Sequence, residues 1–160
     1  MTATDAAPQI DRGGIGDLAD VMIAMQDAFD PMFGEAWTEA QCAGVLGMPG
    51  AHLLLARCGR EPAGFALLRT IAGETELLLI AVRAGFRRRG IGTQLLARAM
   101  AAAAGDGADT MHLEVRDGNE AVRLYRAAGF LQVGRRRHYY RGRDGRAFDA
   151  LTFRRDMAGG

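Results

Sequence analysis

Residues 76–96, ELLLIAVRAGFRRRGIGTQLL, run from an apolar strand-type segment through a short basic turn into an alanine-rich helix, with Gly90-Ile91-Gly92 at the joint. A strand that hands over to a helix through glycines commits the chain to an α/β design. It also makes a place for an anion. Glycines let backbone pass close to a ligand, and the unpaired amides of the first helical turn, with the positive end of the helix dipole, point at it. The expected ligand is a diphosphate-bearing cofactor. The same order occurs in α/β domains that bind nothing, so the turn alone leaves the question open. Two nucleotide loops are excluded. A dinucleotide fingerprint needs a third glycine where the chain has Leu95, and a Walker-type loop needs a lysine, of which the sequence has none.

Periodicity extends the reading to either side. Ile15, Leu18, Val21, Met22, Met25 and Phe29 recur at helical spacing over 14–29, and Thr38 with Gln41 predicts a capping box opening a second short helix, so the first third should be mostly helical. Segments 51–58, 62–71 and 75–83, separated by Gly59-Arg60-Glu61 and Gly73-Glu74, predict an antiparallel meander. A helix over 91–104 should stop at Gly105–Gly107. Asp109–Arg116 alternates, with Met111, Leu113 and Val115 on one face and His112, Glu114 and Arg116 on the other. A helix over 120–128 and strands over 130–136 and 147–156 complete an α/β three-layer arrangement on a mixed, mostly antiparallel sheet.

The 160 residues predict one domain spanning 1–160, large enough to fold without disulfides or metal. A net charge of +1 from 20 basic and 19 acidic residues gives no global field for nucleic acid, so no DNA partner is expected. Without lysine, covalent lysine chemistry is excluded. Cys42 and Cys58 stand apart and predict buried free thiols, and the scattered His52, His112 and His138 predict no metal site. The opening MTATDAAPQIDRGG has neither a basic start nor an apolar core, and no apolar run reaches the roughly 18 residues of a membrane span, which predicts a cytoplasmic protein with no membrane partner.

At this point a family resemblance enters. The strand LLLIAV, the R-x-x-G-x-G turn from Arg87 to Gly92, and the downstream Asn119 with Leu124-Tyr125-Arg126-Ala127-Ala128-Gly129-Phe130 resemble the acetyl-CoA motifs of the GCN5-related N-acetyltransferases. Glu35-Ala36-Trp37-Thr38, Leu113-Glu114-Val115-Arg116, Tyr139-Tyr140, Asp144-Gly145 and Asp149-Ala150 are similar to the ribosomal-protein alanine N-acetyltransferases within that superfamily, a likeness covering about 10–156. The chain departs from that pattern in two places. Asn119 and Tyr125 are six apart where seven is usual, and His138 stands where asparagine is common before the paired tyrosines.

The resemblance implies acetyl transfer from acetyl-CoA, with no metal. Backbone groups of Ile80, Ala81 and Val82 would take the pantetheine arm and acetyl carbonyl, where such donors polarise developing charge. Those of Arg88, Arg89, Gly90, Ile91, Gly92 and Thr93 would take the pyrophosphate, with Asn119 a further cofactor contact. Glu114 would be the general base and Tyr125 the general acid. The residues also allow plainer readings: Glu114 as a solvated strand carboxylate, Tyr125 as a core aromatic, Trp37 as a core anchor rather than a lining of the acceptor cleft. Arg135, Arg136 and Arg137 carry no assigned role. An amine attacks a thioester only as the neutral base, and an α-amino group titrates near roughly 7.7–8.0 against 10.4 for lysine, so a peptide or protein N-terminus is the easier acceptor. The expected activity is N-terminal acetylation of a small-subunit ribosomal protein; acetylation of a small-molecule amine, or a non-catalytic acyl-CoA-binding module, stay open as alternatives.

Overall fold

The computed structural model describes residues 5–157, so the first four residues of the N-terminal stretch lie outside it. A seven-stranded sheet runs in the order β1-β2-β3-β4-β5-β7-β6. Its strands are β1 (Pro8–Gly13), β2 (Ala51–Cys58), β3 (Glu61–Ile71), β4 (Glu74–Val82), β5 (Thr110–Arg116), β6 (Leu131–Arg141) and β7 (Ala147–Asp156). Only β4 and β5 pair in parallel; every other neighbour is antiparallel. Helices α1 (Leu18–Ala28) and α2 (Glu39–Leu46) cover one face, and α3 (Ile91–Gly105) and α4 (Ala121–Ala127) the other. The expected α/β layering on a mixed, mostly antiparallel sheet is what forms.

The first strand corrects the expectation of a mostly helical N-terminal third. In PQIDRG only Ile10 is buried, so the segment carries no alternation long enough to read, and its pairing to β2 is decided by tertiary contact. The predicted start of α1 also moves. Ile15–Asp17 is a 3₁₀ turn with Ile15 65% exposed, and α1 proper begins at Leu18. The capping box on α2 forms as predicted: Gln41 N–H donates to Thr38 Oγ1 at 3.2 Å and Thr38 N–H to Gln41 Oε1 at 2.8 Å. Cys42 and Cys58 are buried free thiols.

β3 is the spine, buried continuously from Pro62 to Leu68 because both faces are covered. Odd positions such as Phe65 and Leu67 pack under α1, and even ones such as Ala66 and Leu68 under α3. On β5 the two faces part as expected, with Met111, Leu113 and Val115 buried toward α3 and Glu114 left toward the opposite side. The register of β4 then creates the site. Leu77 pairs with Leu68 and Leu79 with Leu67, so Leu78 is an extra residue, a β-bulge that bends the strand. β4 and β5 pair only from Glu74–Thr110 to Leu77–Leu113; beyond that the two strands separate.

Candidate active site

The separated strands open a cleft of about 1090 Å³. Its walls are Leu77–Val82 of β4 and Glu114–Arg116 of β5; the first turn of α3 and the face of α4 bearing Leu124 and Tyr125 close one side, and the α1–α2 loop closes the other. Arg83 N–H donates to Ala63 O at 2.8 Å. Because strand residues alternate the side to which they turn both backbone groups, Ala81 faces β3, while Ile80 and Val82 turn theirs toward the gap where β5 no longer pairs. The Val82 carbonyl accepts from Arg87 Nε at 3.1 Å, and the same guanidinium reaches Ala28 O at 3.1 Å. Arg87 therefore fastens the turn to α1.

The glycine turn winds through left-handed backbone at Arg88 (φ 64°) and Gly90 (φ 76°), a conformation that glycine adopts at no steric cost. Gly90 ends the turn as the N-cap of α3, and its carbonyl accepts the first intrahelical bond, from Gln94 N–H at 3.0 Å. The amides of Ile91, Gly92 and Thr93 precede that bond and have no intrahelical acceptor. A Cβ on Gly92 would sit 3.5 Å from Leu124 and 3.7 Å from Val82, so its bare α-carbon keeps the passage between α3, α4 and β4 open. The Arg89 guanidinium lies 5.3 Å from the Phe86 ring centroid. A turn ending in free helical amides beside a cleft with the apolar side chains of β4 on one wall could hold a cofactor with a diphosphate and a long flexible arm. Among the described residues no three His, Cys, Asp or Glu side chains are grouped to hold a metal.

Glu114 lies on the opposite wall, its side chain only 16% exposed, with Oε1 2.8 Å from Arg136 Nε. Two tyrosines bracket it. Tyr140 O–H donates to the Glu114 carbonyl at 3.5 Å, and Tyr139 meets Tyr140 edge to face at 5.0 Å. Burial, then the negative charge of Glu114, raises the Tyr139 hydroxyl above the ordinary phenol range. The two rings are delivered by an irregularity in β6. Arg136 pairs with Ala150 and Tyr140 with Phe148, so three residues oppose Asp149 alone. Asp149 stabilises that bulge by accepting from His138 N–H at 3.0 Å and Arg135 Nη1 at 2.8 Å. His138 sits at φ 56°, a left-handed region that histidine, like asparagine and aspartate, enters more readily than most residues. Arg135 and Arg136 thus acquire structural partners that their clustered sequence did not suggest.

Tyr125 is 5% exposed on α4, its ring 6.0 Å from Phe130 and 6.4 Å from Phe153. It is both core aromatic and cleft lining. Burial first, then the charges of Tyr140 and Glu35, push its hydroxyl well above the ordinary phenol value. The folded environment holds the phenolic proton more firmly than water would.

Asn119 is engaged at both ends. Its Oδ1 accepts from Ala121 N–H at 2.8 Å, capping α4, and its Nδ2 donates to Glu35 Oε2 at 2.7 Å. The other oxygen of Glu35 accepts from Arg116 Nε at 2.9 Å. Nothing in the local sequence marks Glu35 as buried, because its partners stand 81 and 84 positions away. Trp37 is partly buried against the α1 side of the core and also lines the cleft.

Known proteins share this architecture. Residues 18–130 match the acetyltransferase (GNAT) family. The chain is 39% identical over 127 residues to the N-alpha-acetyltransferase RimI of Mycobacterium tuberculosis, covering 76% of this chain and 77% of that protein. It is 34% identical over 111 residues to the ribosomal protein bS18-alanine N-acetyltransferase of Escherichia coli K12, covering 69% and 74% respectively. The crystal structure of the ribosomal-protein-S18-alanine N-acetyltransferase from Escherichia coli superposes with a TM-score of 0.84 at 27% identity, over 96% of each chain.

Proposed function

The chain belongs to the GNAT acetyltransferase family, whose members use acetyl-CoA, and from that premise we propose that it acetylates the N-terminal α-amino group of a protein, a small-subunit ribosomal protein of the bS18 type. The observation that carries the proposal is the cleft between β4 and β5, with the amides of α3 at one end and Glu114 and Tyr125 on its walls. Acetyl-CoA supplies an activated thioester carbonyl. The amides of Arg88–Thr93 donate hydrogen bonds to its pyrophosphate, and the backbone of Ile80 and Val82, turned away from β3 with the Val82 carbonyl already accepting from Arg87, aligns the arm.

Glu114 takes the proton that the acceptor nitrogen loses as its lone pair forms the new C–N bond. As the C–S bond breaks, the Tyr125 hydroxyl donates to the departing sulfur. Its raised affinity for the proton makes full transfer uphill, since a free thiol titrates near roughly 8.5, so Tyr125 acts chiefly as a hydrogen-bond donor to the thiolate. An α-amine is the fitting acceptor because a useful fraction is neutral near pH 7, whereas Glu114 would have to deprotonate a lysine against a cost of about 3.5 kcal/mol more. The proposal is tested by incubating the protein with acetyl-CoA and a peptide bearing a free bS18-type N-terminus and an internal lysine, then locating the acetyl group by fragmentation mass spectrometry. Acetyl on the α-amine supports it; acetyl only on small amines supplied in parallel refutes it.

A further inference from the structure

The α1–α2 loop and the start of α4 belong to opposite sides of the cleft, yet one buried carboxylate joins them. Glu35 is 9% exposed at its side chain and Arg116 11%. A carboxylate so far from water is costly unless both oxygens are satisfied, and here one takes Arg116 and the other Asn119. The partners extend the connection in both directions. The Arg116 guanidinium lies 3.7 Å from the Phe33 ring centroid, in the same loop as Glu35, and Phe33 meets Phe148 of β7 edge to face at 5.2 Å. Asn119, through its other end, caps the first amide of α4, the helix that carries Leu124 and Tyr125 into the cleft. Gly34, beside Glu35, is left-handed at φ 68°, and a side chain there would overlap the Arg141 carbonyl, so the loop is pressed against the β6–β7 hairpin as well.

We infer that Glu35 and Asn119 are positioning residues forming a strut across the cleft, which fixes the acceptor-side loop in register with the helix that bears Tyr125. The inference rests on the proposed N-terminal acetylation for its kinetic consequence, though not for its structural one. Loss of the strut frees the loop from Phe33 to Trp37, so the acceptor site loosens while the amides of α3 are untouched.

The polarity of the contact offers a sharp test. In Glu35→Gln the new amide oxygen still accepts from Arg116, but its nitrogen faces the Asn119 nitrogen, donor against donor. In Asn119→Asp two carboxylates face one another. In the double variant the introduced amide donates to the introduced carboxylate, whose second oxygen still caps Ala121. Trp37 is the only tryptophan, so its fluorescence reports the loop directly. Each single variant is expected to raise acrylamide quenching of Trp37 and to raise the acceptor KM about tenfold, Glu35→Gln with acetyl-CoA affinity by calorimetry within about twofold, and the double variant to restore quenching and KM. Singles that leave quenching and KM at wild-type values, or a double variant no better than the product of the two singles, would overturn the strut. If a single variant does not fold, Glu35→Asp replaces it: a strut needs the reach and loosens, whereas charge alone leaves Trp37 unchanged. Should the wild type acetylate no N-terminal peptide, the proposed function fails while the quenching cycle still decides the strut.

Discussion

Tyr125→Phe removes one oxygen and keeps the ring, so it separates the chemical role of this residue from its packing role. The ring contacts to Phe130 at 6.0 Å and Phe153 at 6.4 Å survive the change. The hydroxyl sits where burial disfavours its ionised form, so deleting it leaves no buried charge behind. Stability should therefore stay within about 0.5 kcal/mol of the wild type. The rate is another matter. Because each unit by which the phenol lies above the thiol costs about 1.4 kcal/mol of driving force, Tyr125 contributes as a donor to developing thiolate charge rather than as a complete proton source. One such donor is worth about 10²- to 10³-fold, at the lower end of what positioned acid catalysis supplies. Rapid-quench single-turnover measurement of acetyl transfer, with acetyl-CoA saturating, isolates that step from product release. A wild-type single-turnover rate in a variant that still binds acetyl-CoA would show that the helix turns this hydroxyl away from the reacting sulfur.

Gly90→Val and Gly92→Val should each weaken acetyl-CoA binding at least about tenfold by calorimetry, the first by forcing a branched residue into φ 76° and the second by filling the passage beside Leu124 and Val82. Ala72 and Gly73 form the two-residue β3–β4 turn with φ 50° and 83°, the arrangement for which Asn-Gly is preferred. Ala72→Asn should accordingly stabilise the fold by about 1 kcal/mol and raise the melting temperature by about 2–4 °C, read by calorimetry. Gly142→Ala would drive a methyl into the Met32 carbonyl, where the β6–β7 hairpin meets the α1–α2 loop, and should cost about 1–3 kcal/mol in urea denaturation.

The parts of this molecule that were legible in its sequence are those whose cause is local. The strand, turn and helix around Gly90, the capping box of Thr38 and Gln41, and the alternation along β5 each arise from neighbouring residues. β1 was not legible because its single buried residue, Ile10, gives no period. The far half of β6 was hidden by its bulge, where Arg137, His138 and Tyr139 interrupt the alternation and the strand continues to Arg141. In the site, Glu114 and Tyr125 were singled out only through the family resemblance, and their surroundings could not be read at all. The Arg136 contact to Glu114 crosses β7, and the union of Glu35, Arg116 and Asn119 joins the α1–α2 loop to β5 and the start of α4, so neither is written in a local stretch of sequence. The raised phenols of Tyr125 and Tyr139 follow from that burial, and burial is a property of the whole fold.

Acetyl transfer to a free bS18-type N-terminal peptide, followed by mass spectrometry for the wild type and for Glu114→Gln side by side, decides whether this cleft acetylates α-amines with Glu114 as base. Acetyl is expected on the α-amine with the internal lysine untouched. Glu114→Gln should lose turnover by about 10²-fold or more while acetyl-CoA affinity stays near wild type, since a base assists the transition state and not cofactor binding. An unacetylated peptide, or a Glu114→Gln variant with wild-type turnover, would contradict it.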